Sequence, residues 1–320
     1  MSYFACVGTG SKSSVVTDGT RVYIDGVKLT QEELKLVTDS YTASEKGELP
    51  YAFYWGAAVV YHNEIYIVGS HKRPYTLSKW TGTSWVEVNT DDNPLSHGCA
   101  VVYKDEIHKF TGNTRKHLKW NGSSWTGLGN IPYDITNGSA VVYNNEIHLL
   151  GSSRTDNGGV TKYSKTHYKW DGTTWTKLSE LPYEFYNGSA VVWNNEIHLL
   201  GSEKTTGMEH YKWDGTQWTS DVSLPVHFQN GDAVVLPDGI HILGGKLSSE
   251  AHYIWNGTSW KGSSAGITEA DSSNKLNYQF CDGSAVVLNN NIHLLGGGND
   301  MPNYNKKHVE LDALYKKMEG

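Results

Sequence analysis

The hydrophobic pattern of this chain is short-period and repetitive. A block with the form GSAVVYNNEIHLLG recurs six times, starting at Gly56, Gly98, Gly138, Gly188, Gly231 and Gly283. Within one copy, a β-branched run at Ala140, Val141 and Val142 meets Asn144-Asn145, and a second apolar run spans Glu146 to Leu150. Asn-Asn and Asp-Gly accept the positive φ of two-residue turns, so the pattern predicts a hairpin. A third strand follows at His167-Tyr168-Lys169-Trp170, and Asp171-Gly172 turns it into a fourth beginning near Trp175. Each repeat therefore predicts four antiparallel strands. The opening glycine predicts a crowded position near an axis, where no side chain fits.

The starts lie 42, 40, 50, 43 and 52 residues apart, the period of four-stranded propeller blades. A second block follows the first five copies, from WTGTSW at Trp80 to WNGTSW at Trp255, and holds ten of the 12 tryptophans. The sequence AVV…EIHLLGG…HYKW…W…LP resembles the kelch repeat over about residues 56–318, with the glycine pair often reduced to one, as in Gly151-Ser152 and Gly201-Ser202. The resemblance implies an all-β, kelch-like β-propeller. Its tryptophan-rich HYKWDGTTW hairpins and LPY loops are similar to kelch-like proteins of phage and phage-tail-like gene clusters of Gram-positive bacteria. That likeness implies a non-enzymatic component of a virion or tail-like particle, made in the cytoplasm without a signal peptide. Its partners would be other particle proteins or a host-surface glycan. An intracellular kelch adaptor and a carbohydrate-active enzyme are the alternatives.

Six blades are clear, and the N-terminal segment leaves the count open. Residues 1–12 read as a tail and 51–320 as blades. Residues 13–50 are expected to form a degenerate seventh blade, beginning with a hairpin of Ser14–Asp18 and Arg21–Ile24. Against this, Thr30-Gln31-Glu32-Glu33 is a capping-box pattern that predicts a short helix. The alternative is six blades with an N-terminal docking segment.

Charge and composition narrow the partners. A net charge of −7 over 320 residues disfavours a nucleic-acid backbone. No apolar run approaches the roughly 18 residues of a membrane span, and the N-terminus lacks the pattern of a secretion leader. Three cysteines without a CxxC motif support neither a disulfide framework nor structural zinc. Ten of the 14 histidines hold two repeat positions, exemplified by His148 and His167, and so read as structural rather than metal-binding. His71, His97 and His227 fall in variable loops. Arg21, Arg73, Arg115 and Arg154 sit at dissimilar repeat positions, and the carboxylates Asp134, Glu184 and Asp282 form no singled-out pair. Neither a catalytic set nor a cofactor site is expected.

Function in repeat proteins sits where the repeats differ. The variable connections join second to third strands and fourth strands to the next blade, on one face of the disc. The residues just before each first strand are expected at the channel mouth: Tyr54-Trp55, His97, Asn137, Tyr186-Asn187, Asn230 and Asp282, with Phe185, Phe228 and Phe280 close by. Aromatic faces beside amides suit a sugar, and suit a protein partner nearly as well. The competing reading is ordinary turn chemistry for the Asn-Gly pairs and loop packing for Tyr183.

Overall fold

A computed structural model describes residues 2–8, 11–17, 21–24, 27–30, 41–112, 114–155, 161–263, 275–298 and 304–313. The chain divides into two compact units, Met1–Thr42 with Ala313–Gly320, and Ala43–Asp312. In the first, β1 (Ser2–Gly8), β2 (Ser11–Thr17), β3 (Arg21–Ile24) and β4 (Val27–Thr30) form an antiparallel meander in chain order. The expected hairpin is there, with Val15 opposite Ile24. The residues after Thr30 that carry the capping-box pattern lie outside those described.

The second unit is a ring of six four-stranded blades. β5 (Tyr41–Glu45) precedes blade 1, which comprises β6 (Ala57–Tyr61), β7 (Glu64–Val68), β8 (Thr76–Trp80) and β9 (Trp85–Thr90). Blade 2 holds β10 (Cys99–Tyr103), β11 (Glu106–Phe110), β12 (Lys116–Trp120) and β13 (Trp125–Asn130). Blade 3 holds β14 (Ser139–Tyr143), β15 (Glu146–Thr155), β16 (Thr161–Trp170) and β17 (Trp175–Lys177). Blade 4 follows with β18 (Ser189–Trp193), β19 (Glu196–Leu200), β20 (His210–Trp213) and β21 (Trp218–Ser220). Blade 5 is β22 (Asp232–Leu236), β23 (Gly239–Leu243), β24 (His252–Trp255) and β25 (Trp260–Ser263). Blade 6 takes β26 (Ser284–Leu288), β27 (Asn291–Leu295) and β28 (His308–Ala313) from its own segment and borrows β5 as its outer strand.

That loan settles the blade count. Lys46 N–H donates to His308 O (2.7 Å) and Leu49 N–H to Lys306 O (2.8 Å), so the chain before blade 1 zips onto blade 6. Leu49, Tyr51 and Phe53 then pack with Ile65, Ile67 and Trp80 of blade 1 and with Val286 and Leu295 of blade 6. Blade 1 meets blade 6 directly, so no seventh blade stands between them. Of the two counts open in the sequence, the ring has six, and the segment expected as a degenerate blade supplies the closing strand.

The repeated aromatics hold neighbouring blades together. Trp80, Trp120, Trp170, Trp213 and Trp255 are buried, whereas their partners across the turn, such as Trp175 and Trp218, are half-buried. Each reaches the blade before it: Trp170 lies edge-on to His117 at 4.6 Å between centroids, and Trp213 to His167 at 5.2 Å. Those histidines belong to five buried pairs, one per blade from 2 to 6. Ring nitrogens lie 2.8 Å apart in His108–His117, His148–His167 and His198–His210, and 2.9 Å apart in His241–His252 and His293–His308. Burial holds His108 and His148 at a pKa of about 4, and His117, His167, His198 and His308 at about 3. All six are neutral at pH 7, so each imidazole can share an N–H with its partner without carrying charge into the core. Blade 1 puts Tyr66 and Leu77 at the matching register positions, opposite Lys79 and Val68. An apolar pair thus does the same packing there.

Lys109 departs from the repeat. It fills the position of Leu149 and Leu199 and is buried, yet it pairs with Asp91, donates to Asn93 O at 2.9 Å, and lies 4.4 Å from the centroid of the Trp125 ring. A buried ammonium is tolerated only with such a full set of partners.

Candidate functional site

The six residues that precede the first strands by one glycine form a closed collar. His97 N–H donates to Trp55 O, Asn137 to His97, Asn187 to Asn137, Asn230 to Asn187, Asp282 to Asn230, and Trp55 back to Asp282. The bonds run 2.7–3.0 Å, all in one rotational sense. Making that turn places every collar residue in the left-handed region, with φ of +54° at Trp55, +60° at His97, +55° to +59° at the three asparagines and +60° at Asp282. Asn and Asp tolerate this conformation, whereas a bulky residue there is an outlier with an energetic cost. Trp55 is that outlier.

The expected central crowding takes a more local form. Two positions before each collar residue stands a fully buried plug: Phe53, Leu95, Ile135, Phe185, Phe228 and Phe280. The glycine after the collar leaves room for it. A Cβ on Gly138 would sit 2.7 Å from Ile135 Cδ1 and 2.6 Å from Gly151 O, and one on Gly231 would sit 2.5 Å from the Phe228 ring. Phe185, Phe228 and Phe280, expected among the binding residues, therefore pack beneath the loops and line neither of the two cavities at the collar. A ring locked under backbone offers no face to a ligand.

Above the collar opens a funnel of about 470 Å³, lined by Trp55, His97, Asn137, Asn187, Asn230 and Asp282 together with Glu203, Lys246 and Tyr304. Below it a channel of about 260 Å³ runs between the first strands. Asp232 closes that channel's wall, accepting from Ser189 Oγ, Ser284 Oγ and the N–H groups of Ala233 and Ala285. Burial raises its pKa.

The funnel carries aromatic and polar groups. Trp55 lies 4.2 Å from the His97 ring and edge-on to His71 at 5.0 Å. Tyr54, buried, stacks on Tyr304 at 3.9 Å and supports Trp55 edge-on at 5.2 Å. Among the polar groups, Asn187 Nδ2 donates to Glu203 Oε2 at 2.6 Å, and next to Trp55, Asn230 Nδ2 donates to Asp282 Oδ1 at 2.6 Å and Tyr304 OH to Asp282 Oδ2 at 2.8 Å. Burial, with the neighbouring His71, lowers the His97 pKa to about 4, against the pull of Asp282. Its imidazole is neutral at pH 7. Tyr186 is buried and stacks on Tyr163 at 4.3 Å, behind the funnel wall.

Six of the eleven expected binding residues thus meet in one cavity, and two tyrosines back its surroundings. Glu203, Lys246 and Tyr304 were not expected. Glu203 and Lys246 follow by two residues the positive-φ glycines Gly201 and Gly244 that end their second strands. Their N–H groups donate to Tyr186 O and Gln229 O, each the residue before a collar position. That offset could have been read from the repeat. Tyr304 follows a long connection with no periodic signal. Asp282 is the one carboxylate considered for catalysis that reaches the funnel, since Asp134 is held by Arg115 at 2.8 Å and Glu184 lies outside the lining. His227 packs its ring against Gly207 and is absent from the lining.

His198, His210 and Asp221 offer ligand atoms within 4.8 Å of one another, the one such trio among the described residues. However, the two imidazoles point at each other as in the other four pairs, so the geometry is that of the repeated core contact.

No protein-family profile matches the chain, and no curated protein matches it. Among solved structures, the structure of YjhT is similar, with a TM-score of 0.68 at 14% identity, covering 82% of this chain and 95% of that one. The likeness is one of fold. It fixes the propeller ring and leaves the chemistry of the mouth to its own residues.

Proposed function

We propose that this protein is a non-enzymatic binding propeller that takes a saccharide of a host surface in its collar funnel, as a component of a phage tail or tail-like particle. The observation that carries the reading is Trp55. A tryptophan held at φ +54°, where four of the other five positions carry Asn or Asp, keeps a costly residue in a cavity that offers sugar-sized space. Its indole supplies the stacking face, and Asn137, Asn187 and Asn230 supply hydrogen-bonding groups for hydroxyls. The HYKWDGTTW hairpins support the particle setting. Trp55→Asn fits the collar conformation, so it is expected to abolish binding to host cell-wall glycan while leaving the melting temperature equal or higher. Retained binding in that variant would refute the reading.

A second reading follows from Glu203 and Asp282 lining the same funnel, because paired carboxylates perform glycoside hydrolysis. Turnover of a bound glycan that disappears in Glu203→Gln would favour it over simple binding.

A further inference from the structure

The polar lining of the funnel is specific about what it can accept. A carboxylate can only face the NH2 end of an amide, so the contacts to Glu203 and Asp282 fix the orientations of Asn187 and Asn230. Asn137 likewise spends Nδ2 on Ser153 Oγ at 3.3 Å. Each contact spends one of the amide's two N–H hydrogens on the wall, which halves the donors left to a ligand. Asn230 Oδ1 is buried without a hydrogen-bond partner, so it is shut off from the funnel and the carboxylates are left as the acceptors a ligand can reach. The tyrosine hydroxyl, too, is directed at Asp282.

Charge points the same way. Two carboxylates, Glu203 and Asp282, share the cavity with one exposed ammonium, Lys246. Trp55 adds an aromatic face, which attracts cations. We infer that the funnel selects saccharides bearing a protonated amine, the unacetylated amino sugars, over acetylated or acidic ones. The inference rests on the glycan reading above and specifies its ligand class. The ammonium would meet the Asp282 carboxylate beside Trp55, whereas anionic sugars would face two like charges, Asp282 and Glu203.

The test is titration calorimetry of the full chain with three probes: a glucosamine tetramer, its N-acetylated counterpart, and an oligogalacturonate. The glucosamine tetramer is expected to bind at least about tenfold more tightly than either of the others. Asp282→Asn, with an unchanged melting temperature, should erase that preference. Lys246→Gln, at an exposed position, should tighten glucosamine binding by about threefold, a gain that no loss of folding can mimic. Equal binding of the acetylated and free tetramers would overturn the charge selection and leave glycan binding standing, as would preference for galacturonate. Failure of all three probes, with host cell-wall glycan still bound through Trp55, would overturn this inference alone. Failure of host glycan as well would remove both readings.

Discussion

Acid should dismantle this propeller well above the pH at which carboxylates protonate. His108, His117, His148, His167, His198 and His308 sit in the core at pKa values of about 3 to 4, against about 6.5 in an unfolded chain. Below pH 6.5 the unfolded chain takes up protons that the folded chain refuses. Stability is therefore full above that pH and falls as pH drops toward the folded values, by about 1.4 kcal/mol per histidine per pH unit. At pH 5.5 the six together cost about 8 kcal/mol as an upper limit, which rivals the total stability of about 5–15 kcal/mol common in folded domains. Local opening of one hairpin would relieve part of it. The melting temperature followed by circular dichroism from pH 8 to pH 5 should fall by about 15 °C or more. Blade 1 supplies the control. His148→Tyr with His167→Leu copies Tyr66 and Leu77, and should reduce the acid slope by about a third, two of the six histidines, while leaving the protein folded at pH 8. A melting temperature constant between pH 7.5 and pH 5 would refute the argument.

Asp91→Ala should cost about 3–5 kcal/mol by stranding the buried Lys109 ammonium, whereas Asp91→Ala combined with Lys109→Leu, which removes both charges and restores the repeat residue, should be neutral or stabilising in urea denaturation. Trp170→Ala should cost roughly 3–5 kcal/mol and Trp175→Ala distinctly less, because only the first ring is buried; equal losses would contradict the packing. Removing residues 1–40 should leave the ring monomeric on a sizing column, while removing 1–46 strips β5 from β28, opens an edge and favours aggregation. Identical behaviour of the two truncations would count against closure by β5.

The propeller was readable because its determinants are local. Asn144-Asn145 and Asp171-Gly172 specify turns and Val141-Val142 specify a strand, with the first turn position recurring six times and the second five. Closure was less readable, since β5 is bound to β28 more than 260 residues away and carries no mark of its partner. The funnel was half legible. Asn137 and Asn187 announced themselves as residues of a special turn, but Phe185 and Asn187 occupy one loop and point to opposite fates. Two residues of register separate a plug from a rim, and composition cannot distinguish them. Glu203 and Lys246 were obscured differently, because what marks them is the conformation of the preceding glycine.

The backbone N–H and C=O groups close the collar at every station, and side-chain contacts such as Asn230 Nδ2 to Asp282 Oδ1 only add to a circle already complete. Residues as unlike as Trp55, His97, Asn187 and Asp282 occupy equivalent stations without breaking the circle. The ring behaves as a socket with six interchangeable pins. One substitution at a station rewrites one-sixth of the recognition surface and leaves the frame that presents it in place, provided the newcomer tolerates a left-handed backbone. Such an architecture lets ligand preference drift quickly among relatives whose folds stay alike, with Asn as the cheapest occupant and every bulkier residue a sign of selection for contact.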